Sequence, residues 1–384
     1  MIQASTTPSK LPQVGTTIFT EMSALALEHS AINLSQGFPD FPLDAQLIDL
    51  VKYYMTEGHN QYAPMPGVPA LRKQIASKLK PYHADPFDAD QEITITSGAT
   101  EGLFATINAL VHPLDEVIIL DPSYDLYAPA VVLAGGNPIH VELELPDFSI
   151  NWDKLEKAMS PRTRVVIINN PNNPAGSILP RAELERLAEL VVSKDLMVIS
   201  DEVYEHMVYD GLQHHSILSV PDLRDRGVAV FSFGKTFHAT GWKIGYTVAP
   251  PNITKELRKV HQFVTFSVNT PIQLAIADYL SDPDHYQGLS VFFQEKRDMF
   301  LNLMATSRFK PLPSRGTYFQ LMSYADISDR PDREMAHWMT VEHGVASIPI
   351  SVFYQNGRDH KLLRFCFGKN TSTLQEAAKK LCKI

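Results

Sequence analysis

A chain of 384 residues, 44% hydrophobic and 20% charged, can bury a substantial core without a disulfide or metal staple. Its net charge of −9 and the lack of a dense basic run argue against a nucleic-acid partner, which needs clustered Lys and Arg against phosphate. No uninterrupted apolar stretch approaches the roughly 20 residues of a membrane-spanning helix, and Cys366 and Cys382, isolated from each other, suit a reducing compartment, with the cytoplasm as the expected location.

Residues 1–13 are polar and lack the apolar core of a signal peptide. The middle of the chain alternates short apolar runs with helical stretches. A strand is expected at 92–96, running through Ser97-Gly-Ala-Thr100 into a helix over 99–110. Further strands are expected at 116–120, before Asp121-Pro-Ser-Tyr124-Asp125, and at 164–169, before Asn170-Pro-Asn-Asn-Pro-Ala-Gly176. A helix over 181–194 follows Pro180, which suits a helix start. Strands at 196–200, 228–233 and 244–248 follow; the first runs into Asp201-Glu-Val-Tyr204 and the second into Gly234-Lys235-Thr236. Continuous apolar runs mark strands covered on both faces, so this rhythm predicts an α/β fold with a largely parallel sheet. After Pro271 the pattern changes. One long helix to Met304, a strand at 318–322, a helix near 333–343, strands near 347–349 and 362–367, and a terminal helix read as a smaller α+β unit.

Open α/β sheets bind ligands beyond the carboxyl ends of their strands, so the polar residues there carry the most weight. Gly234-Lys235-Thr236 ends like a P-loop, but the Gly that motif needs five positions before its second Gly is Ala229, inside an apolar strand. A lone Lys past a strand end would be a solvated surface residue. Lys235 is not alone: the strand ends also offer an acid with a Tyr, an Asn turn and a Gly-containing helix entry. No G-x-G-x-x-G follows a strand, which disfavours a dinucleotide site. None of the 14 His residues forms H-E-x-x-H, so no metal site is assigned, and His214-His215 reads as a polar surface pair.

This set resembles the class I/II, fold-type-I aminotransferases, closest to the methionine and kynurenine (glutamine–aromatic) type. Ser232-Phe-Gly-Lys235 with Gly241-Trp-Lys-Ile-Gly245 is similar to the family's lysine signature. Asn170–Gly176 resembles its Asn-Pro-x-Asn-Pro-x-Gly turn, and Asp201-Glu-Val-Tyr204 its Asp-x-x-Tyr. The likeness runs from Asn33-Leu-Ser-Gln-Gly-Phe-Pro39 to Arg364. It implies pyridoxal phosphate as cofactor, carried by Lys235 as a Schiff base, with the freed amine moving the substrate's Cα proton. Asp201 would keep the pyridine nitrogen protonated, because a buried carboxylate favours the charged ring. Tyr204 and Asn173 would bond the phenolate oxygen, and Tyr124 would stack on the ring. Ala99 and Thr100 at a helix start, Ser232, Lys243 and the partner subunit's own copy of Tyr62 would hold the phosphate. Many relatives carry Arg where Lys243 stands, and Lys lacks the bidentate fork.

Arg364 matches the family's carboxylate clamp, a planar fork that binds and orients an α-carboxylate, with Gly37 adding a backbone donor. Dicarboxylate-specific relatives donate a second Arg across the dimer, shortly before an Asn like Asn269; here 261–266 reads His-Gln-Phe-Val-Thr-Phe, without Arg. Phe38, Tyr62 and Phe266 then suggest an apolar or aromatic pocket, for methionine, aromatic amino acids, kynurenine, glutamine or histidine. The resemblance further implies a large domain over 46–280 with a mostly parallel seven-stranded sheet, a small α+β domain from 1–45 and 281–384, and a homodimer sharing Tyr62 and Asn269 between sites. A cysteine-conjugate carbon–sulfur β-lyase would share the site. A ligand-sensing aminotransferase-like domain fused to a DNA-binding module fits less well, because the likeness begins by about residue 33 and the charge is acidic.

Overall fold

The computed structural model describes residues 7–82 and 86–384, so the first six residues of the polar opening segment lie outside it. The central sheet has seven strands: β1 (Ile93–Thr96), β2 (Glu116–Asp121), β3 (Asn137–Glu142), β4 (Thr163–Asn169), β5 (Met197–Asp201), β6 (Gly227–Ser232) and β7 (Gly245–Val248). Their order is β1-β7-β6-β5-β4-β2-β3, with β7 antiparallel to both neighbours and the remaining pairs parallel. Every residue of β1, β2 and β7 is buried, and nearly every one of β4, β5 and β6. Their Val and Ile side chains meet helices on both faces, as the apolar runs require.

The edge strand β3 was not legible in the sequence. It is half exposed, and its Asn137-Pro138 start dilutes the apolar signal; Pro is tolerated at an edge. The predicted long helix to Met304 is broken into Thr270–Tyr279, Asp284–Gln287 and Leu289–Leu303. The break falls at Pro283, whose ring and missing N–H cannot continue a helix from the preceding turn. The polar surface reading of His214 is also corrected: its Nε2 lies 2.9 Å from Oε2 of fully buried Glu202.

The C-terminal part holds a four-stranded antiparallel sheet in the order Ile348–Pro349, Leu362–Cys366, Phe319–Ser323, Lys310–Pro311. Ile32–Asn33 pairs in parallel with Val345–Ala346, and helix Ile18–Glu28 packs on helix Asp332–His343. The chain's beginning is thereby fastened to its end, and the segment 34–41 is led across the carboxyl ends of the central strands. Both cysteines are free; Cys366 is buried. Among the described residues no helix is long and apolar enough to cross a membrane, and no cluster of His, Cys, Asp or Glu could hold a metal ion.

Candidate active site

The carboxyl ends of β1, β2, β4, β5 and β6 open on one cavity. Ala99, Thr100, Tyr124, Asn173, Asp201, Tyr204, Ser232, Lys235 and Lys243 all line it. Residues spread over 145 positions of sequence are thus gathered because parallel strands present their ends on the same side.

Lys235 stands in the short helix Phe233–Thr236, capped by Ser232, whose Oγ accepts the Lys235 N–H at 3.3 Å. Its Nζ donates to the Gly37 carbonyl at 3.0 Å and to the Tyr318 hydroxyl at 2.9 Å. Burial lowers the amine from its usual value to about 8; Cys366 and Asp201 oppose that shift, while the Arg364 and Lys243 charges add to it. A lysine in this setting is partly neutral near physiological pH and so able to act as nucleophile and base.

Asp201 ends β5 and is 4% exposed. Tyr127 donates to its Oδ2 at 2.7 Å and the Val203 N–H to its Oδ1 at 3.4 Å. Burial nevertheless raises the carboxyl to about 6, against the pull of those donors and of Lys235. A carboxylate so placed lacks a close cation and is suited to accept one from a ligand. Tyr127 escaped sequence reasoning, although Tyr124-Asp-Leu-Tyr127 has the spacing that sets two rings on one helical face. Tyr124 meets Tyr127 edge-on, with centroids 5.8 Å apart, and burial pushes its phenol up to about 12.

The turn after β4 places Asn173. Its N–H donates to Asn169 Oδ1 at 2.6 Å, and Asn169 Nδ2 donates to the Asp201 carbonyl at 2.8 Å, so the turn is tied to the next strand end. Arg364 Nη1 donates to Asn173 Oδ1 at 2.7 Å, and Nη2 to the Ser35 carbonyl at 2.9 Å. With Oδ1 engaged, Asn173 has its Nδ2 donors left for the cavity. Arg364 is 1% exposed and lies 3.9 Å over the Phe319 ring, while its Nε is buried with no partner. Burial lowers this guanidinium to about 10, with partial relief from Tyr204, Cys366, Tyr318 and Asp125. No carboxylate forms an ion pair with it among the described residues. A buried, hydrogen-bonded cation without a counter-ion is costly unless an anion joins it.

At the other end, helix Gly98–Leu110 points its first N–H groups at the cavity, and Glu101 Oε2 accepts the Ser97 N–H at 3.0 Å. Lys243 Nζ donates to Thr100 Oγ1 at 3.2 Å. Gly245 allows this approach: a Cβ there would lie 2.8 Å from the Ala99 nitrogen and 2.5 Å from the Phe231 carbonyl. Gly98 adopts φ +73°, which a side chain would resist. Free amide groups, a hydroxyl and an ammonium together make an anion cup.

The remaining candidates lie elsewhere. Phe38 is 44% exposed, outside this cavity, with Lys369 Nζ 4.7 Å over its ring. Tyr62 is 81% exposed and meets Phe266 edge-on at 5.3 Å. With Asn269 it lines a separate surface depression. Gly37 offers its carbonyl to Lys235. Tyr204 is buried and packs edge-on against Tyr318 at 5.2 Å; burial drives its phenol well above the usual value.

Residues 29–381 match the family described as aminotransferase class I and II. The chain is 52% identical to the methionine aminotransferase of Escherichia coli K12 over 98% of both chains. A crystal structure of an Escherichia coli protein with that reported function superposes with a TM-score of 0.97, at 51% identity over 99% of this chain and 100% of that one. Human kynurenine–oxoglutarate transaminase 1 is 36% identical over 95% of each chain. The N-succinyldiaminopimelate aminotransferase of Mycobacterium tuberculosis gives a TM-score of 0.95 at 35% identity, over 98% of this chain and 100% of that one.

Proposed function

This chain belongs to the class I and II aminotransferases and is a transaminase; from that premise we propose that it moves the amino group of an L-amino acid with an apolar or aromatic side chain, methionine foremost, onto a 2-oxo acid, with pyridoxal phosphate bound at Lys235. One observation carries the reading. A single cavity joins a buried amine lowered to about 8, a buried carboxylate without a close cation, and a helix start with a lysine, and beside it lies a buried guanidinium without an anion.

That set fits pyridoxal phosphate. The anion cup of Ala99, Thr100, Ser232 and Lys243 would hold the phosphate, Asp201 the ring nitrogen, Tyr204 and Asn173 the ring oxygen, and Tyr124 the ring face. When bound, the cofactor supplies an aldehyde that links covalently to amines and a ring that draws electrons from the substrate's Cα. The chain's own residues do the rest. Tyr127 fixes Asp201 so that its charge faces the cavity. Arg364 takes the substrate carboxylate, and the rings of Phe319, Phe19 and Phe353 around it keep water out, strengthening that pairing. Lys235 Nζ, in its neutral form, accepts the Cα proton and returns it to a neighbouring carbon. Asn173 touches Arg364 directly, so carboxylate recognition and the ring-oxygen site share one side chain.

The substrate class rests on the relatives and on an absence: His261 to Phe266 contains no Arg to meet an acidic side chain. We take the functional unit to be a homodimer in which Tyr62, Phe266 and Asn269 complete the partner's site; on one chain these residues share a surface depression or its rim. We likewise place the cofactor-binding domain at 46–280, the small domain at 1–45 and 281–384, and the enzyme in the cytoplasm. Comparing kcat/KM for methionine, phenylalanine, kynurenine and aspartate tests the assignment; methionine or an aromatic donor should lead, and a clear preference for aspartate would overturn it.

A further inference from the structure

Tyr318 was not singled out by any motif, yet it touches the reacting amine. Its ring is fully buried, edge-on to Tyr204 and at 4.9 Å from Phe319. Its hydroxyl donates to the Gly37 carbonyl, and Lys235 Nζ lies 2.9 Å from that hydroxyl and 3.0 Å from the same carbonyl. Since the phenolic proton is spent on Gly37, the Tyr318 oxygen acts toward Lys235 as an acceptor.

We infer that the Tyr318 hydroxyl, with the Gly37 carbonyl, holds the free Lys235 amine in the orientation that proton transfer requires, so that Tyr318 is a positioning residue for this reaction. A neutral amine has two N–H bonds. Here one is given to Gly37 and the other to Tyr318, and the lone pair is directed away from both. In the transfer the substrate's Cα–H bond breaks, the proton forms a third N–H bond on Nζ, and the bonding electron pair stays on the carbon side. In the return step that N–H bond breaks, its electron pair stays on Nζ as the lone pair, and the proton forms a C–H bond at the other carbon with the electron pair held there. Without Tyr318 the amine would keep only its N–H bond to the Gly37 carbonyl and would rotate about that single anchor, so that its lone pair points at the substrate carbon for only part of the time. The charged and titratable groups that face Nζ are Asp201 at the end of β5, Arg364 and Cys366 on strand Leu362–Cys366, Lys243, and the phenols of Tyr204 and Tyr318. The inference rests on the transamination reading, which gives the free amine its task.

The test is Tyr318→Phe, which keeps the ring and its packing. In enzyme loaded with pyridoxamine phosphate Lys235 is free, and trace acetylation with acetic anhydride across pH, read by mass spectrometry on the Lys235 peptide, reports its titration. A hydroxyl acceptor stabilises an ammonium more than an amine, so the variant's midpoint should fall by about half to one pH unit. In a single-turnover reaction with methionine, the rate should fall about tenfold and the Cα-deuterium isotope effect should rise, with the dissociation constant of methionine unchanged. Acetylation profiles and isotope effects that coincide with wild type would overturn the inference. Should the Phe variant not fold, 3-fluorotyrosine placed at position 318, which retains the hydroxyl and weakens it as an acceptor, should move the midpoint in the same direction; an unmoved midpoint overturns it equally. Lys235→Ala separates the two ideas: retained turnover there sinks the transamination role of Lys235, whereas an unmoved Tyr318 profile sinks this inference alone.

Discussion

Replacing Arg364 by Lys keeps a positive charge in the same strand and removes the fork. In the native site Nη1 serves Asn173 and Nη2 serves Ser35, while Nε is buried without a partner, and the guanidinium carbon lies 3.9 Å from the centre of the Phe319 ring. An ammonium has three donors on one shorter arm and cannot satisfy Asn173, Ser35 and a bidentate carboxylate together. One charge-assisted hydrogen bond is worth about 1.5–3 kcal/mol, and the contact of the cation with the Phe319 ring adds about 1 kcal/mol. Loss of about 3 kcal/mol in the transition state corresponds to a fall of about 100-fold or more in kcat/KM. The assay compares methionine with 3-methylthiopropylamine, the same skeleton without the carboxylate. Arg364→Lys should lose its activity on methionine by that factor and change little on the amine. A loss under fivefold on methionine, or an equal loss on both compounds, would refute the clamp.

Two further outcomes follow from buried charges. Lys78 and Glu205 form a pair at 2.7 Å with both side chains almost fully buried, beside the hydroxyls of Tyr246 and Tyr82. Burial alone would raise the Glu205 carboxyl, but Lys78 and the nearby His206 and His214 outweigh it and hold it below the usual range. Lys78→Met strands that carboxylate, so urea unfolding should show a loss of about 3–5 kcal/mol at neutral pH. A depressed folded-state value gives stability that is present above the unfolded carboxylate range and is lost as pH falls through the folded one, so the gap between wild type and variant should close in acid; a gap that widens in acid would contradict the pairing. For Lys235, lowered to about 8, the base form accumulates above that pH. The single-turnover rate of Cα proton removal should rise about tenfold per pH unit below about 8 and level off above it, and a flat profile between pH 6 and 9 would argue against this amine as the base.

What the sequence disclosed and what it concealed have a common cause. Asp201, Lys235 and the Asn170–Gly176 turn each follow a buried apolar strand, so local pattern alone located them at one end of a sheet. Tyr318 lies 83 residues from Lys235 and meets it only because the segment just before it, Arg315 to Thr317, pairs with Met207 to Tyr209 beyond β5; nothing local marks it. Tyr127 was within reach, at helical spacing from Tyr124, but its partner Asp201 is 74 residues away. Edge strand β3 has neither the buried faces nor the unbroken apolar run of its neighbours. Phe38, whose motif suggests a substrate contact, is exposed on the single chain with Lys369 over its ring, so its place near a substrate depends on more than its own strand or helix.

The central claim is that Lys235, and no other lysine, carries the cofactor. Purified protein incubated with pyridoxal phosphate, reduced with borohydride and digested should show the added pyridoxyl mass on the peptide containing Lys235, and Lys235→Ala should show none anywhere near stoichiometric amounts. Stoichiometric label on another lysine, or a protein that takes up no label and stays colourless, would contradict the account at its root.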